Sequence, residues 1–337
     1  MKQKSILLAL LLFTLFGSFT SLNGEIKFFG MVQTWLSYSA MEDETPMGFT
    51  LRRVRFKPFG SLSKSLTWAL QFGWDKQVAM IQDAYLEWKS SEKFRIRVGE
   101  YTVPGTISSS LTSSAELDML ERPEITLKWA KLNELSQYRS VGLQFHGQLF
   151  DNKIYYAVMF ANNSTFGLFT PNVGDLEYDA TPGITLWTRL EAKLSNGLRF
   201  GGFYGRNQLT KTETSKSSYG IHLFYVQQPI NFKIEYIAGR KDDETEIIRY
   251  EGMYALFGYR IKKFEFLIQY DNYKPNRDLG DEEEVLKYDN ITLGCNFFVS
   301  NKIKLQANYI FRNEEFVTTN TSDIKNNIFY INFQYSF

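Results

Sequence analysis

The sequence of 337 residues predicts an all-β fold, a transmembrane antiparallel β-barrel. Three observations predict it. Many segments of about ten residues alternate apolar with polar side chains, which is the pattern of a tilted membrane-spanning strand. Tight polar turns alternate with longer links along the chain, as they do in bacterial barrels. Beyond residue 24, no apolar run approaches the roughly 20 residues that a spanning helix needs.

The final segment, 328–337, shows the alternation most clearly. Its apolar face consists of Phe329, Ile331, Phe333, Tyr335 and Phe337, and its polar face consists of Asn332, Gln334 and Ser336. Because successive side chains of a strand point to opposite faces, one face suits lipid and the other suits water. The same alternation recurs at 66–75, 141–146, 231–238, 291–297 and 303–312. This repetition favours a barrel over a soluble sandwich, which would turn every ~8–12 residues.

The connections predict the number of strands. Seventeen segments have a β-like pattern when 124–129 is included, but single-chain bacterial barrels have an even number. The strand that ends at Tyr101 must run outwards, and the strand 139–150 must run back towards the tight turn at Asp151 and Asn152. One outer connection therefore joins these two strands. We expect 16 strands and an exceptionally long third extracellular loop, 102–138, folded into the lumen.

The first 24 residues have the pattern of a secretory signal peptide, and residues 25–337 are expected to form the barrel domain. Lys2 and Lys4 precede an apolar run, 6–16, and small or polar residues follow as far as Gly24. Such a leader and a barrel together predict export to the outer membrane of a Gram-negative bacterium. Without the two leader lysines, 36 basic residues stand against 37 acidic residues, which gives no support to a nucleic-acid partner.

Charged residues on the polar faces are the candidates for lining a pore. If Val54 and Phe56 face lipid, then the alternate residues of that strand face the lumen, and the same holds for the strand at 95–98. The expected basic column consists of Arg53, Arg55, Lys57, Arg95 and Arg97. Asp83 and Glu87 are expected on an opposing lumen face, where they would set a transverse field. This column would favour the passage of anions. The alternative is that its charges are simply solvated, because the lumen of such a barrel is filled with water.

The charged residues of the long third loop are mostly acidic, five against three basic residues. Glu116, Asp118 and Glu121 accompany Arg122 in the part expected to form a constriction. If these carboxylates line the constriction, cations pass more easily; if they pair with wall arginines, they hold the loop in place.

The sequence offers little for catalysis. The two histidines, His146 and His222, lie on polar faces of strands and are interpreted as lumen lining. No group of residues has metal-ligand spacing, and no glycine-rich loop precedes a helix in the way that phosphate-binding loops do. The single cysteine, Cys295, excludes an intramolecular disulfide and is expected to face lipid. We therefore expect neither an enzyme nor a cofactor.

Several short motifs in the first half of the chain resemble those of one known family. They are Phe49-Thr50-Leu51-Arg52-Arg53-Val54-Arg55-Phe56, Asp83-Ala84-Tyr85-Leu86-Glu87-Trp88, Val98-Gly99-Glu100 with Pro104, Ser113-Ser114 and Glu121-Arg122. Together they are similar to the phosphate-selective porin O/P family over roughly residues 28–150. Further along the chain, the resemblance rests on the barrel pattern and the terminal Phe337.

The resemblance implies a homotrimeric porin of sixteen strands with an arginine ladder in its lumen. It implies that Arg52 and Arg53 occupy the family's paired-arginine positions, that Asp83 is its pore aspartate, and that the barrel-assembly machinery reads Phe337. Ser110 falls where the family has a phosphate-binding lysine in the third loop. The expected function is passive diffusion of small hydrophilic solutes, with a possible preference for anions. A phosphate- or anion-specific channel and a structural or adhesive outer-membrane barrel are the alternatives.

Overall fold

The structure of the protein is a computed structural model, which describes residues 25–39, 47–75, 78–132, 135, 138–162, 184–207, 215–242, 247–274, 286–316 and 327–337. The predicted signal peptide, 1–24, lies outside the described residues. So do most residues of the predicted links at 42–48, 163–183, 275–284 and 313–325.

The described residues form sixteen strands in one closed antiparallel barrel. The strands are β1 (Ile26–Ser39), β2 (Met47–Ser61), β3 (Leu66–Asp75), β4 (Val78–Lys89), β5 (Arg95–Thr102), β6 (Arg139–Leu149), β7 (Ile154–Asn162), β8 (Ile184–Ser195), β9 (Leu198–Asn207), β10 (Ser215–Gln227), β11 (Ile230–Asp242), β12 (Ile247–Ile261), β13 (Phe264–Lys274), β14 (Leu286–Phe298), β15 (Ile303–Phe316) and β16 (Ile328–Ser336). Each strand pairs with its neighbours in sequence, and β1 pairs with β16 to close the barrel. The predicted fold class and strand number are confirmed.

The terminal residue takes part in this closure. The backbone N–H of Phe337 donates to the Gly30 carbonyl at 2.9 Å, and the Gly30 N–H donates to the Phe337 carbonyl at 2.8 Å. Phe337 thus extends the β1–β16 pairing by one residue. A closed barrel leaves no strand edge unpaired within the bilayer, where an unsatisfied backbone group is costly.

The two faces of the wall differ in the way that the sequence predicts. On β8, Leu190 is 59% exposed, whereas the flanking Arg189 and Glu191 are 4% and 8% exposed. The outer face is rich in exposed aromatic and aliphatic side chains, including Phe200, Phe257 and Phe333. No helix of the described residues is long and apolar enough to cross a membrane.

The connection between β5 and β6, residues 103–138, is called the third loop here. It contains a π-helical turn (Ile107–Leu111), a 3₁₀ turn (Ser114–Glu116) and one α-helix, α1 (Glu124–Leu132). The seventeenth β-like segment is therefore this helix, and the choice of an even strand number was correct. Pro123 starts the helix, because its carbonyl accepts from the N–H groups of Thr126 and Leu127.

Candidate functional site

A β-bulge places two adjacent arginines where they meet the third loop. The register of β1 against β2 passes from Gln33 opposite Arg53 to Thr34 opposite Leu51, so Arg52 is the extra residue of the bulge. Both arginines reach the Glu121 carboxylate: the Arg52 Nη2–Glu121 Oε2 distance is 2.9 Å, and Arg53 Nη2 is also bonded to it.

Glu121 is ionised by this pair. Burial opposes the charge of its carboxyl group, but the charges of Arg53 and Arg52 outweigh burial and hold the pKa of Glu121 below its usual 4.5. Next to it, burial and the positive charge of Arg53 lower the pKa of Arg122 to about 10. Arg122 remains cationic at neutral pH, and its guanidinium donates to the Thr112 carbonyl at 2.8 Å.

The remaining cations of the predicted basic column lie on the inner wall in ion pairs. Arg55 pairs with Asp75 at the end of β3. Lys57 Nζ lies 3.1 Å from one oxygen of Asp83, and Arg139 Nε lies 2.8 Å from the other. These pairs hold Arg55 and Lys57 of β2 and Arg139 of β6 at fixed positions and leave each of them partly neutralised.

A second set of pairs surrounds Glu87 on β4. Arg97 Nη2 lies 2.5 Å from its carboxylate, His146 Nε2 lies 3.2 Å from it, and Arg95 Nη1 lies 3.5 Å from it. Arg95 also pairs with Glu92 in the turn. Arg97 lies over the ring of Tyr85, with its guanidinium carbon 4.4 Å from the centroid, which adds a cation–π contact.

The expected position of the two acidic residues was wrong. Asp83 and Glu87 do not lie opposite the basic column; they lie on β4, among strands β2 to β6 of the same part of the wall, and bind its cations directly. The register across β3 explains this. A second bulge at Gln82 brings Asp83 opposite Gln71 and turns both Gln82 and Asp83 inwards.

The first half of the third loop is fixed by polar side chains from distant strands. Glu235 of β11, which is 1% exposed, accepts from the Ile107 N–H at 2.8 Å and from the Ser108 hydroxyl at 2.6 Å. Further along, Lys304 and Gln306 of β15 donate to the Leu117 carbonyl. These bonds satisfy loop backbone groups that would otherwise be buried without partners.

The predicted constriction residues have different environments. Asp118 Oδ2 lies 2.5 Å from Lys233 Nζ, and its Oδ1 accepts from Asn231 at 2.7 Å. Glu116 is exposed. Ser110 is 4% exposed, and its hydroxyl donates to the Thr106 carbonyl at 2.6 Å. Asp118 and Glu121 therefore hold the loop to the wall, whereas Glu116 remains accessible to solvent.

The second half of the loop packs in an apolar cluster. Trp129 of α1 is completely buried; its rings lie 5.9 Å from Trp187 and 5.8 Å from Phe203, and its indole N–H donates to Ser218 at 2.7 Å. The inner face of β7 to β13 contributes further apolar residues, including Met159, Phe224, Tyr254 and Leu267. The inner face is therefore not uniformly polar, in contrast to the expectation from the strand alternation.

Several cavities lie between the loop and the wall, including two large ones. The larger has a volume of about 550 Å³ and is lined by Arg55, Lys57, Asp83 and Arg139 from the wall and by residues 110–116 and Arg122 from the loop. The other, of about 410 Å³, lies between loop residues 115–118 and the strand ends of β10 to β16. The larger cavity therefore runs beside the predicted basic column, with the loop on its other side.

Several residues of the wall were not predicted as site residues from the sequence. Arg189, Glu191 and Arg199 form a cluster on β8 and β9 with His222 of β10, which was predicted only to line the lumen, and Glu235 binds the loop. The alternation did indicate their inward orientation, since each lies on the polar face of its strand. Which strands lie beneath the loop is set by the loop's path, and no local pattern reveals that path. Among the described residues, no group of three or more His, Cys, Asp or Glu side chains could hold a metal ion.

A closed barrel of sixteen antiparallel strands, with an apolar outer face and charged inner wall, is the architecture of an outer-membrane porin. The sequence profile of the phosphate-selective porin O and P family matches residues 35–166 and 201–337, and the chain belongs to that family. The family and the fold indicate a channel in the bacterial outer membrane.

One sequence relative is an uncharacterized protein of Aquifex aeolicus (strain VF5), which is 25% identical over 273 residues. The match covers 68% of this chain and 62% of that relative.

Solved structures share the fold at low sequence identity. OmpF of Salmonella typhi, in complex with daunomycin, has a TM-score of 0.65 at 10% identity and covers 94% of this chain and 99% of its own. The outer membrane channel DcaP of Acinetobacter baumannii has a TM-score of 0.64 at 12% identity, covering 93% and 97%. The trimer form of OmpT, an outer membrane protein of Vibrio cholerae, has a TM-score of 0.63 at 12% identity, covering 93% and 99%.

Proposed function

We propose that the channel passes small hydrophilic solutes by diffusion, with a preference for anions, and that the third loop folds into the lumen to narrow the passage. The cavity of about 550 Å³ between the loop and the basic column carries this proposal. A solute there lies beside Arg55, Lys57 and Arg139 on the wall and beside Arg122 on the loop. The cations Arg55, Lys57, Arg139 and Arg122 outnumber the carboxylates of Asp75, Asp83 and Glu116 beside them, which raises the local concentration of anions.

The loop contacts support the narrowing. Residues of the third loop bond to Arg53 on β2, Lys233 on β11 and Lys304 on β15, which belong to well-separated parts of the barrel. A segment bonded to all three strands crosses the inside of the barrel. The apolar cluster around Trp129 fills the space beside β8 and β9, so the passage beside β2 to β6 is the one that solutes take.

Phosphate specificity is the second candidate, because the family profile matches most of the chain. Ser110 argues against a tight phosphate site at the position where the family's lysine is expected. Its side chain carries no charge, and its hydroxyl is bonded to the Thr106 carbonyl. We therefore propose a channel in which phosphate permeates without strongly blocking chloride.

Single-channel recording in planar bilayers tests these functions. We expect open channels, a reversal potential that favours chloride in a KCl gradient, and a chloride current that millimolar phosphate hardly changes. Replacing Arg55 and Lys57 by Gln is expected to shift the reversal potential towards cations. Block of the chloride current by low phosphate would instead establish the phosphate-specific channel. A folded protein without conductance would favour the structural or adhesive barrel.

Assembly and export complete the proposal. We propose that residues 1–24 direct export and are removed, that residues 25–337 form the barrel domain, and that the assembly machinery recognises Phe337. A homotrimer is supported by the trimer form of the similar OmpT structure. It is also supported by the exposed Phe28, Phe49 and Leu51 on β1 and β2, which would suit a subunit contact. We propose neither a catalytic role nor a cofactor for the chain.

A further inference from the structure

Three arginines form a row on the outer face of the wall, near the extracellular ends of β9 to β12. Arg206 of β9 lies opposite Ser217 of β10, which also lies opposite Arg240 of β11. Arg240 in turn lies opposite Arg249 of β12. Residues directly opposite one another share a face of the sheet, and all three arginines are exposed. Arg206, Arg240 and Arg249 are called the arginine row below.

The arginine row lies directly above two exposed tyrosines. Tyr204 of β9 and Tyr219 of β10 lie opposite each other, one step nearer the middle of the barrel wall, and both are exposed on the outer face. Residues two apart on a strand point to the same face, so Arg206 points outwards together with Tyr204. Tyrosines at such positions mark the boundary between lipid tails and head groups. The arginine row therefore lies at the level of the head groups.

The length of β11 gives the same level for the row. Its outer face begins with the exposed Ile230, next to the turn at the other end of the barrel, and reaches Arg240 ten residues later. Ten residues of antiparallel strand span about 34 Å, and a strand tilt of ~40° reduces the height to about 26 Å. The apolar band of outer-membrane barrels is ~25 Å tall. Arg240 therefore lies at the outer edge of this band.

The other half of the extracellular rim has a different character. Among the described residues, the outward-facing side chains at the extracellular ends of β1 to β8 are uncharged; they include Tyr38, Phe49, Trp74, Val141 and Ile184. The subunit contact proposed above lies on β1 and β2, on the opposite side of the barrel from β9 to β12. In a trimer built on that contact, the arginine row would still face lipid.

The guanidinium groups of the row retain hydrogen-bond donors for an anion. Arg240 pairs with Asp242, which lies two residues further along the same face. A guanidinium has five N–H donors and a carboxylate binds two of them in a bidentate pair, so even a paired arginine can bind a further anion. Arg240 and Arg249 lie directly opposite each other, where like charges repel. A phosphate group between them would remove this repulsion.

Two further carboxylates on this side of the outer face have hydrogen-bond donors of their own. Glu251 of β12 lies one step below the row, opposite Lys274 of β13, and accepts from the Tyr236 hydroxyl at 2.8 Å. Asp289 of β14 accepts from the Tyr270 hydroxyl at 2.7 Å. These bonds stabilise the two carboxylates below and beside the arginine row.

We propose that the arginine row binds the phosphate groups of a glycolipid in the outer leaflet of the membrane. The planar fork of donors on each guanidinium matches the oxygens of a phosphate group. Adjacent strands are ~4.8 Å apart, so the row extends over about 14 Å from β9 to β12 and has room for more than one phosphate group. Tyr204 and Tyr219 would lie beside the upper part of the acyl chains. The site is on the outer face, so it is independent of the proposed passage of solutes.

Binding of lipopolysaccharide to the full protein in detergent tests this site. Lipopolysaccharide is the probe because it is a glycolipid with phosphate groups, and native mass spectrometry measures its binding over a titration. EDTA is present so that divalent cations do not bridge the phosphates to Glu251 or Asp289. The wild-type protein is expected to bind lipopolysaccharide about ten-fold more tightly than it binds the same glycolipid after its phosphate groups have been removed.

The variant with Arg206→Gln, Arg240→Gln and Arg249→Gln is expected to bind lipopolysaccharide about ten-fold more weakly than the wild type. Each exposed ionic contact changes a binding constant by about two- to five-fold, and the variant loses three of them. The matched control replaces three exposed lysines of the tight turns at the other end of the barrel, Lys64→Gln, Lys93→Gln and Lys153→Gln. This control removes the same charge and is expected to bind like the wild type.

Three outcomes would overturn the proposal. Equal binding by the wild type and the arginine variant, or an equal loss in the lysine control, would show that the row is not the site. Equal binding of the dephosphorylated glycolipid would show that phosphate is not recognised. Displacement by an equimolar amount of inorganic phosphate would indicate a site for free anions instead of a lipid.

Folding of the arginine variant is checked by its far-ultraviolet circular dichroism spectrum. If the triple variant does not fold, the single variants Arg206→Gln and Arg249→Gln are used, and each is expected to weaken binding about two-fold. Unchanged binding in both single variants would also overturn the site. None of these measurements depends on whether the barrel conducts ions, so the result does not bear on the diffusion function.

Discussion

At the scale of single residues, Glu121 connects the third loop to the wall. Arg52 and Arg53 are adjacent in sequence, and a regular strand would point them to opposite faces. The bulge at Arg52 lets both guanidinium groups reach the same carboxylate. The family resemblance identified the paired arginines, but the alternation pattern placed only Arg53 in the lumen. A bulge depends on how β1 and β2 are paired, which the sequence of β2 alone does not reveal.

Replacing Glu121 by Gln is expected to loosen the third loop. Two cations would lose their carboxylate, and their mutual repulsion would no longer be compensated. We expect greater open-channel current noise and more frequent subconductance states in planar bilayers. The matched control is Glu92→Gln, which also removes a carboxylate shared by two cations, Lys89 and Arg95, but in an exposed turn. Equal noise in the two variants would contradict the role of Glu121.

Acid is expected to have the same effect as the Glu121 substitution. Because the charges of Arg53 and Arg52 outweigh burial and hold the pKa of Glu121 below 4.5, the ion pair stabilises the loop fully above that pH. This stabilisation is lost as the pH falls through the lowered pKa. We expect wild-type current noise to increase as the pH falls below 4.5. The Glu121→Gln variant should not show this rise in current noise at low pH. If the variant still shows the rise, a group other than Glu121 causes it.

At the scale of elements, the sequence predicted the strands better than it predicted the third loop. The period of two in β16 and β15 fixed which residues face lipid, because lipid and water impose opposite requirements on alternate side chains. The segment 124–129 looked β-like, yet it forms α1. Pro123 and Glu124 suit a helix start, and Asp271 of β13 accepts from the Glu124 N–H at 3.0 Å. Only tertiary contacts of this kind show that the segment is a helix packed against the wall.

The sequence also could not reveal the apolar cluster beneath the loop. Met159, Trp187 and Phe203 lie on the inner faces of β7, β8 and β9, where the alternation predicts polar residues. Trp187 and Phe203 pack against Trp129, which lies more than fifty residues away from both along the chain. An inward-facing aromatic residue indicates that something covers it, but only the structure identifies the covering segment.

The substitution Trp129→Ala is expected to release α1 from the wall. Removing a fully buried tryptophan costs ~3–5 kcal/mol of packing free energy, and the Ser218 hydroxyl loses its indole donor. We expect a larger single-channel conductance and faster uptake of larger neutral sugars into proteoliposomes. The control Trp88→Ala removes an indole that is 43% exposed on the outer face, and its conductance should match that of the wild type. Unchanged sugar uptake in Trp129→Ala would show that the helix does not narrow the passage.

At the scale of the whole molecule, the barrel separates two solvents with a wall one residue thick. On β8, one step along the chain leads from Arg189, which bonds to the third loop, to Leu190 on the outer face. The inner wall tolerates charges because they are paired or solvated, as Glu191 shows by its pairs with Arg189 and His222. The outer face instead presents mainly exposed aromatic and aliphatic side chains, so the penalty for a charge depends on the face it occupies.

An arginine at position 190 is expected to destabilise the barrel strongly. Leu190 lies near the middle of β8 with 59% of its surface exposed on the outer face, and a lipid-facing arginine at the bilayer midplane costs ~2–4 kcal/mol. The free energy of unfolding of Leu190→Arg, measured in urea with lipid vesicles, should fall by that amount. The control Ser91→Arg introduces the same side chain into an exposed turn between β4 and β5, where surface substitutions change stability by about 0.5 kcal/mol or less. Equal stability of the two variants would mean that Leu190 does not face lipid, because only water or a polar partner on the outer face could accommodate the guanidinium without that cost.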